Sequence, residues 1–312
     1  MARTADVGRD EALPRTIGDR VGRNRDRDPH QGGGEQSGEQ GSAHGGLLDG
    51  TWVARPRPPG RSTAYMGDRS TRPDGYDPVM GVQAVIFDWG GTLTPWHDLE
   101  LADMWHAICS AHLPADTIEK TVAALVAAED ELWRRGTEEH RSATLAEAFA
   151  MAGVEPTEGL LATHFETWTP HTHTDPAVPG LLTALRERGI KIGVLSNTIW
   201  TREWHERVFA RDDVLGMLDG AVYSSEIPWT KPHAEAFRAA MDAVGATDPA
   251  SCVFVGDRPY DDIHGAKSAG LRAVQIVHQT TPAFDRPGLT PPDARIHDLA
   301  ELLPHVERWH SP

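Results

Sequence analysis

Residues 83–97 read QAVIFDWGGTLTPWH. The apolar run Ala84 to Phe87 stops on a single carboxylate, Asp88, and two glycines, Gly90 and Gly91, follow at once. A short β-branched run without polar alternation reads as a central strand of a parallel sheet, buried on both faces. Open α/β sheets bind ligands just beyond the carboxyl ends of their strands. An acid at that point predicts a reactive group. The glycines beside it let the chain turn tightly and let a ligand approach the backbone.

Similar runs recur as KIGVLS (191–196), AVYSS (221–225), CVFVG (252–256) and RAVQIV (272–277). Helical patterns separate them: PAVPGLLTALRERG ahead of Lys191, KPHAEAFRAAMDAVG from Lys231 and YDDIHGAKSAG from Tyr260. Strands alternating with helices imply βαβ units and a doubly wound, mainly parallel α/β sheet, assigned to residues 81–98 and 175–312. Residues 99–174 break the alternation. Leu101, Met104, Trp105, Ile108 and Cys109 form one helical stripe, and Ile118, Val122, Leu125, Ala128 and Leu132 a second. Asp116 with Glu119, and Thr144 with Glu147, have capping-box spacing. This segment predicts a helical domain inserted between the first two strands and lying over the strand ends.

The chain has 312 residues, 39% of them hydrophobic, and a formal net charge of −16. The first 80 residues carry 12 Arg against 12 Asp or Glu, so the whole excess of acid lies beyond them. They include QGGGEQSGEQGSAHGG and ARPRPPGRS, a composition that does not bury a core. They read as a disordered extension, or as a gene-model artefact with Met66 or Met80 as the true start. An acidic chain lacks the basic footprint of a nucleic-acid binder. No apolar run reaches the ~18 residues of a membrane helix, and no secretory leader pattern is present. Cys109 and Cys252 alone imply no disulfide framework or cysteine metal cage, and a cytoplasmic setting is expected. No feature of the sequence speaks to oligomeric state.

The polar residues at the strand ends form one set. Asp88 follows the first strand, Ser196 and Asn197 the strand at 191, and Lys231 precedes the helix at 231. GDRPYDD supplies Asp257, Asp261 and Asp262. Such a set suits chemistry on phosphate. Carboxylates hold Mg²⁺ through hard oxygen ligands, while the cation, Lys231 and the Ser196 hydroxyl neutralise phosphoryl oxygens. Asp88 attacks as a nucleophile through an aspartyl-phosphate. The expected partner is a small phosphorylated metabolite.

The order Asp-x-x-x-Thr, Ser-Asn, Lys-Pro and Gly-Asp-x-x-x-x-Asp resembles the haloacid dehalogenase-like (HAD) hydrolase superfamily over about residues 81–304. The helical insert is similar to its C1 cap. The resemblance implies a HAD-like Rossmannoid core with Asp88 as nucleophile, Thr92 supporting the first loop and Ser196 and Asn197 at the phosphate. It implies Lys231 as the cation steadying negative charge and Asp257 as a Mg²⁺ ligand. Asp262 is implied as a further ligand or as the partner of Lys231, and Asp261 stands where relatives often carry Asn. Phosphatases of the superfamily usually have a second aspartate, a general acid and base, two residues after the nucleophile. Here that position is Gly90, which offers only a backbone carbonyl to the metal.

Three alternatives stand beside the phosphatase reading. Haloacid dehalogenases usually carry Tyr at the Gly90 position and need no metal. Phosphonate carbon–phosphorus hydrolases share a similar first motif and use a cap lysine, for which Lys120 is the candidate. A non-catalytic HAD-like binding protein would explain Gly90. Trp96 and His97, at the hinge after the first motif, are expected to touch substrate, and Trp89, Trp200, Trp204 and Trp229 to rim the site or pack the insert on the core. PHTHTD (170–175) reads as a polar linker, His264 as helix surface and Cys252 as core.

Overall fold

The structure is a computed structural model and describes residues 81–97, 99–278 and 288–310. The disorder expected of residues 1–80 lies outside the described residues.

Among the described residues, six parallel strands form one sheet in the order β3-β2-β1-β4-β5-β6. They are β1 (Ala84–Phe87), β2 (Lys191–Ser196), β3 (Gly220–Tyr223), β4 (Cys252–Gly256), β5 (Arg272–Ile276) and β6 (Ala294–Ile296). β1 is central: Phe87 lies opposite Val194 of β2 on one side and Val255 of β4 on the other. Alternation along each strand sorts the core into two layers. Val85 and Phe87 share one face with Ile192, Val194, Val253 and Val255. That face is covered by α5 (Val178–Glu187), α6 (Arg202–Arg211) and α9 (Leu302–His310). Ala84 and Ile86 share the other face with Leu195 and Phe254, under α7 (Ala234–Val244) and α8 (Gly265–Ser268). Burial on both faces is why these strands read as unbroken apolar runs.

Between β1 and α5 run four helices, α1 (Leu101–Ser110), α2 (Ile118–Glu139), α3 (Leu145–Ala152) and α4 (Glu158–Trp168). Both expected stripes face inward: Trp105, Ile108 and Cys109 meet Val122, Leu125, Phe149 and Leu160 in a separate small core. The capping box at Thr144 forms, with Glu147 N donating to Thr144 Oγ1 at 3.2 Å and Thr144 N to Glu147 Oε2 at 2.8 Å. The one expected at Asp116 and Glu119 does not. Thr117 occupies the cap, and its hydroxyl turns back to the Pro114 carbonyl at 2.8 Å. The chain rejoins the sheet layer at Asp175, whose N–H donates to the Leu93 carbonyl at 2.8 Å.

Because β2 and β4 flank β1 and the chain passes to opposite sides of it, β1 and β4 meet at the topological switch point. The carboxyl ends of these strands therefore open into one crevice.

Candidate active site

Asp88 continues directly from β1, and its N–H donates to the Val255 carbonyl at 2.8 Å, so the side chain is aimed from the sheet's rim. The next residues turn sharply. Leu93 and Thr94 N–H both donate to the Trp89 carbonyl, at 2.9 and 3.0 Å. Gly91 sits at φ 77, and a Cβ there would lie 2.7 Å from Asp257 Oδ2. Glycine is therefore obligatory at 91. Gly90 differs: a Cβ built there meets nothing within 4 Å. Its missing side chain leaves open space rather than relieving a clash.

Lys231 is buried and donates to Asp88 Oδ1 at 2.5 Å and to Asp262 Oδ1 at 2.7 Å. Its backbone is clamped by Asn197. Lys231 N donates to Asn197 Oδ1 at 2.8 Å, and Asn197 Nδ2 to the Lys231 carbonyl at 3.0 Å. The Asn197 amide thus places the lysine, and Asn197 also lines the cavity described below. Asp262 is also held from behind, its Oδ2 accepting from Arg258 N at 2.8 Å. Arg258 lies 3.5 Å from the Asp261 carboxylate.

The electrostatics are unbalanced. Among the described residues, Asp88, Asp257, Asp261 and Asp262 cluster with two cations, Lys231 and Arg258, an excess of acid that a divalent cation would offset. Burial pushes Asp88 up to about 6 despite the ammonium of Lys231. Burial, then the charges of Asp262 and Asp88, hold Asp257 well above the usual carboxylate range. Burial alone would lower the Lys231 pKa, but Asp262 and Asp88 outweigh it and hold the ammonium above the ordinary lysine range. Asp88, Asp257 and Asp262 each bring an oxygen within 4.8 Å of the others. Both oxygens of Asp257 are buried without a hydrogen-bond partner among the described residues. Buried carboxylate oxygens demand partners, and an oxygen-seeking cation is the partner this cluster fits.

Above the carboxylates lies a cavity of about 280 Å³. Its floor includes Asp88, Gly90, Ser196 and Lys231; its far wall is Leu101, Glu129, Trp133 and Trp168 of the helical insert. Trp96, Trp89 and Trp200 also line it, and Trp200 packs edge-on against Trp89 and Trp168, at 5.5 and 5.2 Å between centroids. These tryptophans both rim the cavity and join the insert to the core. Trp204 packs behind Trp200, and Trp229 stacks on His233 at 4.1 Å, away from the lining.

His97 is exposed, absent from the lining, and packs edge-on against His171 at 5.2 Å. Thr92 closes the turn through its N–H to the Trp89 carbonyl at 3.2 Å, while its hydroxyl has no partner among the described residues. Lys120, on an outward face of α2, is exposed and outside the lining. Two charged lining residues escaped the sequence reading, Arg258 and Glu129. Glu129 falls four residues after Leu125, inside an otherwise apolar stripe. A carboxylate at a core position was the available signal.

The fold and this cluster define a hydrolase of the haloacid dehalogenase type. The family model described as haloacid dehalogenase-like hydrolase matches residues 82–270, and the chain belongs to that family. The chain is 31% identical over 108 residues to a glyceraldehyde 3-phosphate phosphatase of Methanothermobacter thermautotrophicus, a match covering 35% of this chain and 46% of that protein. It is 27% identical over 214 residues to the protein of that name from Methanopyrus kandleri, covering 62% of this chain and 84% of the relative. The chain thus spans about half the length of the first of these relatives and most of the second. Among solved structures, a 2-haloacid dehalogenase from Pseudomonas syringae pv. Tomato DC3000 superposes with a TM-score of 0.51 at 27% identity, covering 73% of this chain and 99% of that one.

Proposed function

We propose that this chain is a Mg²⁺-dependent phosphatase of a small phosphorylated metabolite, working through an aspartyl-phosphate on Asp88. The observation that carries the reading is the unpartnered, buried carboxylate of Asp257 beside the Asp88–Lys231 pair. A dehalogenase needs no metal, and its usual tyrosine is replaced here by Gly90.

Asp88, Asp257 and the Gly90 carbonyl would hold Mg²⁺, and Asp262 serves chiefly as the partner of Lys231. The bound cation supplies charge neutralisation for an incoming phosphate. Asp88 attacks phosphorus and the ester oxygen departs; water then attacks the acyl-phosphate and releases inorganic phosphate. Lys231 holds the carboxylate in place and balances charge on the phosphoryl oxygens, with the Ser196 hydroxyl as a donor to one of them. The phosphate-bearing molecule is small, since the space between sheet and insert is about 280 Å³. Two buried free thiols, Cys109 and Cys252, suit a reducing cytoplasm. No helix among the described residues is long and apolar enough to cross a membrane.

The test is hydrolysis of p-nitrophenyl phosphate and a panel of phosphorylated metabolites with Mg²⁺ or EDTA, beside chloride release from 2-chloropropionate. Phosphate release that EDTA abolishes is the expected result. Metal-independent chloride release would make the chain a dehalogenase. Mg²⁺-dependent ligand binding without turnover of any ester would make it a binding protein.

A further inference from the structure

We propose that Glu129, carried on α2 of the helical insert, protonates the leaving oxygen of the ester and so replaces the carboxyl that Gly90 lacks. The inference rests on the phosphatase reading above. Glu129 is the one ionisable residue that α1–α4 contribute to the cavity lining, set among Leu101, Trp133 and Trp168. It lines the same cavity as Asp88 and Gly90, and a Cβ built at Gly90 meets nothing within 4 Å. Its Oε1 accepts from Trp105 Nε1 at 2.7 Å, and Trp105 is itself fully packed in the core of the insert, so the carboxyl is held on a rigid support. The competing groups are spent: Lys231 on Asp88 and Asp262, and Asp261 on Arg258.

Burial pushes Glu129 up to about 7, against the indole hydrogen bonds of Trp105 and Trp133. It therefore keeps a proton near neutrality, as a general acid must. The charged groups around it are Asp130 on its own helix and Asp88, Lys231, Arg258 and Asp261 on the cavity's other walls. His164 packs beside Trp105, 5.0 Å between centroids, and burial holds it neutral with a pKa near about 4.

In the first step Asp88 forms its bond to phosphorus, the phosphorus–oxygen ester bond breaks, and the departing oxygen takes the Glu129 proton to leave as an alcohol. In the second, the Glu129 carboxylate takes a proton from the attacking water. The acyl-phosphate bond breaks, inorganic phosphate leaves, and both carboxyl groups return to their starting states.

A purely structural Glu129 would accept the indole N–H groups of Trp105 and Trp133, and weakening that role would slow both kinds of ester alike. Glu129→Gln therefore separates the two roles. The probes are p-nitrophenyl phosphate, whose leaving group needs no proton, and benzyl phosphate, whose leaving group does, read as kcat/KM with Mg²⁺. The benzyl ester should lose about 10²-fold, the low end for general-acid catalysis, and the nitrophenyl ester less than about 3-fold. Gly90→Asp in the Glu129→Gln background should restore the benzyl rate. Equal losses on both esters overturn the proposal. The wild-type protein gives the same test without substitution: kcat/KM for benzyl phosphate should fall above about pH 7, while that for the nitrophenyl ester should not. Parallel pH profiles overturn it too. Absence of any Mg²⁺-dependent turnover of p-nitrophenyl phosphate would instead strike the phosphatase reading itself.

Discussion

Replacing Asp257 by Asn should stabilise the metal-free protein while abolishing its response to Mg²⁺. In the wild type both Asp257 oxygens are buried and unpartnered, beside two further carboxylates. A buried unsatisfied polar group costs about 1–3 kcal/mol, and more when charged. Asparagine keeps the shape and removes one excess negative charge. A gain of about 1–2 kcal/mol is expected, which at roughly 2–4 °C per kcal/mol for a domain of this size raises Tm by about 2–8 °C. Mg²⁺ at a hundred times its Kd should stabilise the wild type by about 2.7 kcal/mol, a shift of about 5–10 °C. In Asp257→Asn that shift should vanish, because one hard oxygen ligand is gone. The assay is thermal unfolding in EDTA and across a Mg²⁺ titration. A variant that melts lower than wild type in EDTA, or that keeps the full Mg²⁺ shift, would refute the assignment of Asp257 as a ligand held in reserve for a cation.

Asp88→Asn should remove turnover of p-nitrophenyl phosphate while leaving the protein folded, since a carboxamide forms no acyl-phosphate. A residual rate above about a tenth of wild type, one decade of what a catalytic group contributes, would rule Asp88 out as nucleophile. Gly91→Ala and Gly90→Ala should part company in thermal unfolding. The first sets a Cβ 2.7 Å from Asp257 Oδ2 at a positive φ and should cost about 1–3 kcal/mol, while the second enters open space and should leave Tm within about 2 °C. Similar losses at both positions would contradict the turn described above. Acid should destabilise the fold through His164 and His205, which burial holds down to about 4 and about 3. The unfolded chain takes up their protons first, so their contribution is complete above the ordinary imidazole value and declines as pH falls from about 6.5 toward 4. Replacing both by Gln should flatten the decline of Tm in that range, and an unchanged slope would show that other groups govern it.

Much of this architecture was legible because burial leaves a signature in one dimension. β1, β4 and the interior of β2 are covered on both faces, so those residues had to be apolar, and three of the four sequence motifs fall at strand ends, with Lys231 ahead of α7. The stripes of α1 and α2 were equally visible, since each packs one face against a local core. Elements with little core to fill were missed. β6 spans three residues at the sheet's edge. α6 buries His205 with Val208 and Phe209, so a polar residue interrupts its apolar face. α9 covers the sheet with only Leu302 and Val306 fully buried.

The sequence by itself determined the class of fold, the position of Asp88 and the set of groups that gather around it, because covalent order and hydrophobic period specify which residues end each strand. Only the tertiary structure decided what those groups do to one another. It spends the Asn197 amide on the Lys231 backbone, gives Asp262 to Lys231 and Arg258, and leaves Asp257 without a partner. It turns His97 away and brings Glu129 of α2 to the cavity that Asp88 lines. The reason is distance along the chain. Asp88 and Lys231 are 143 residues apart, and whether such groups pair, compete or stand alone depends on angstrom-scale geometry that sequence spacing does not encode.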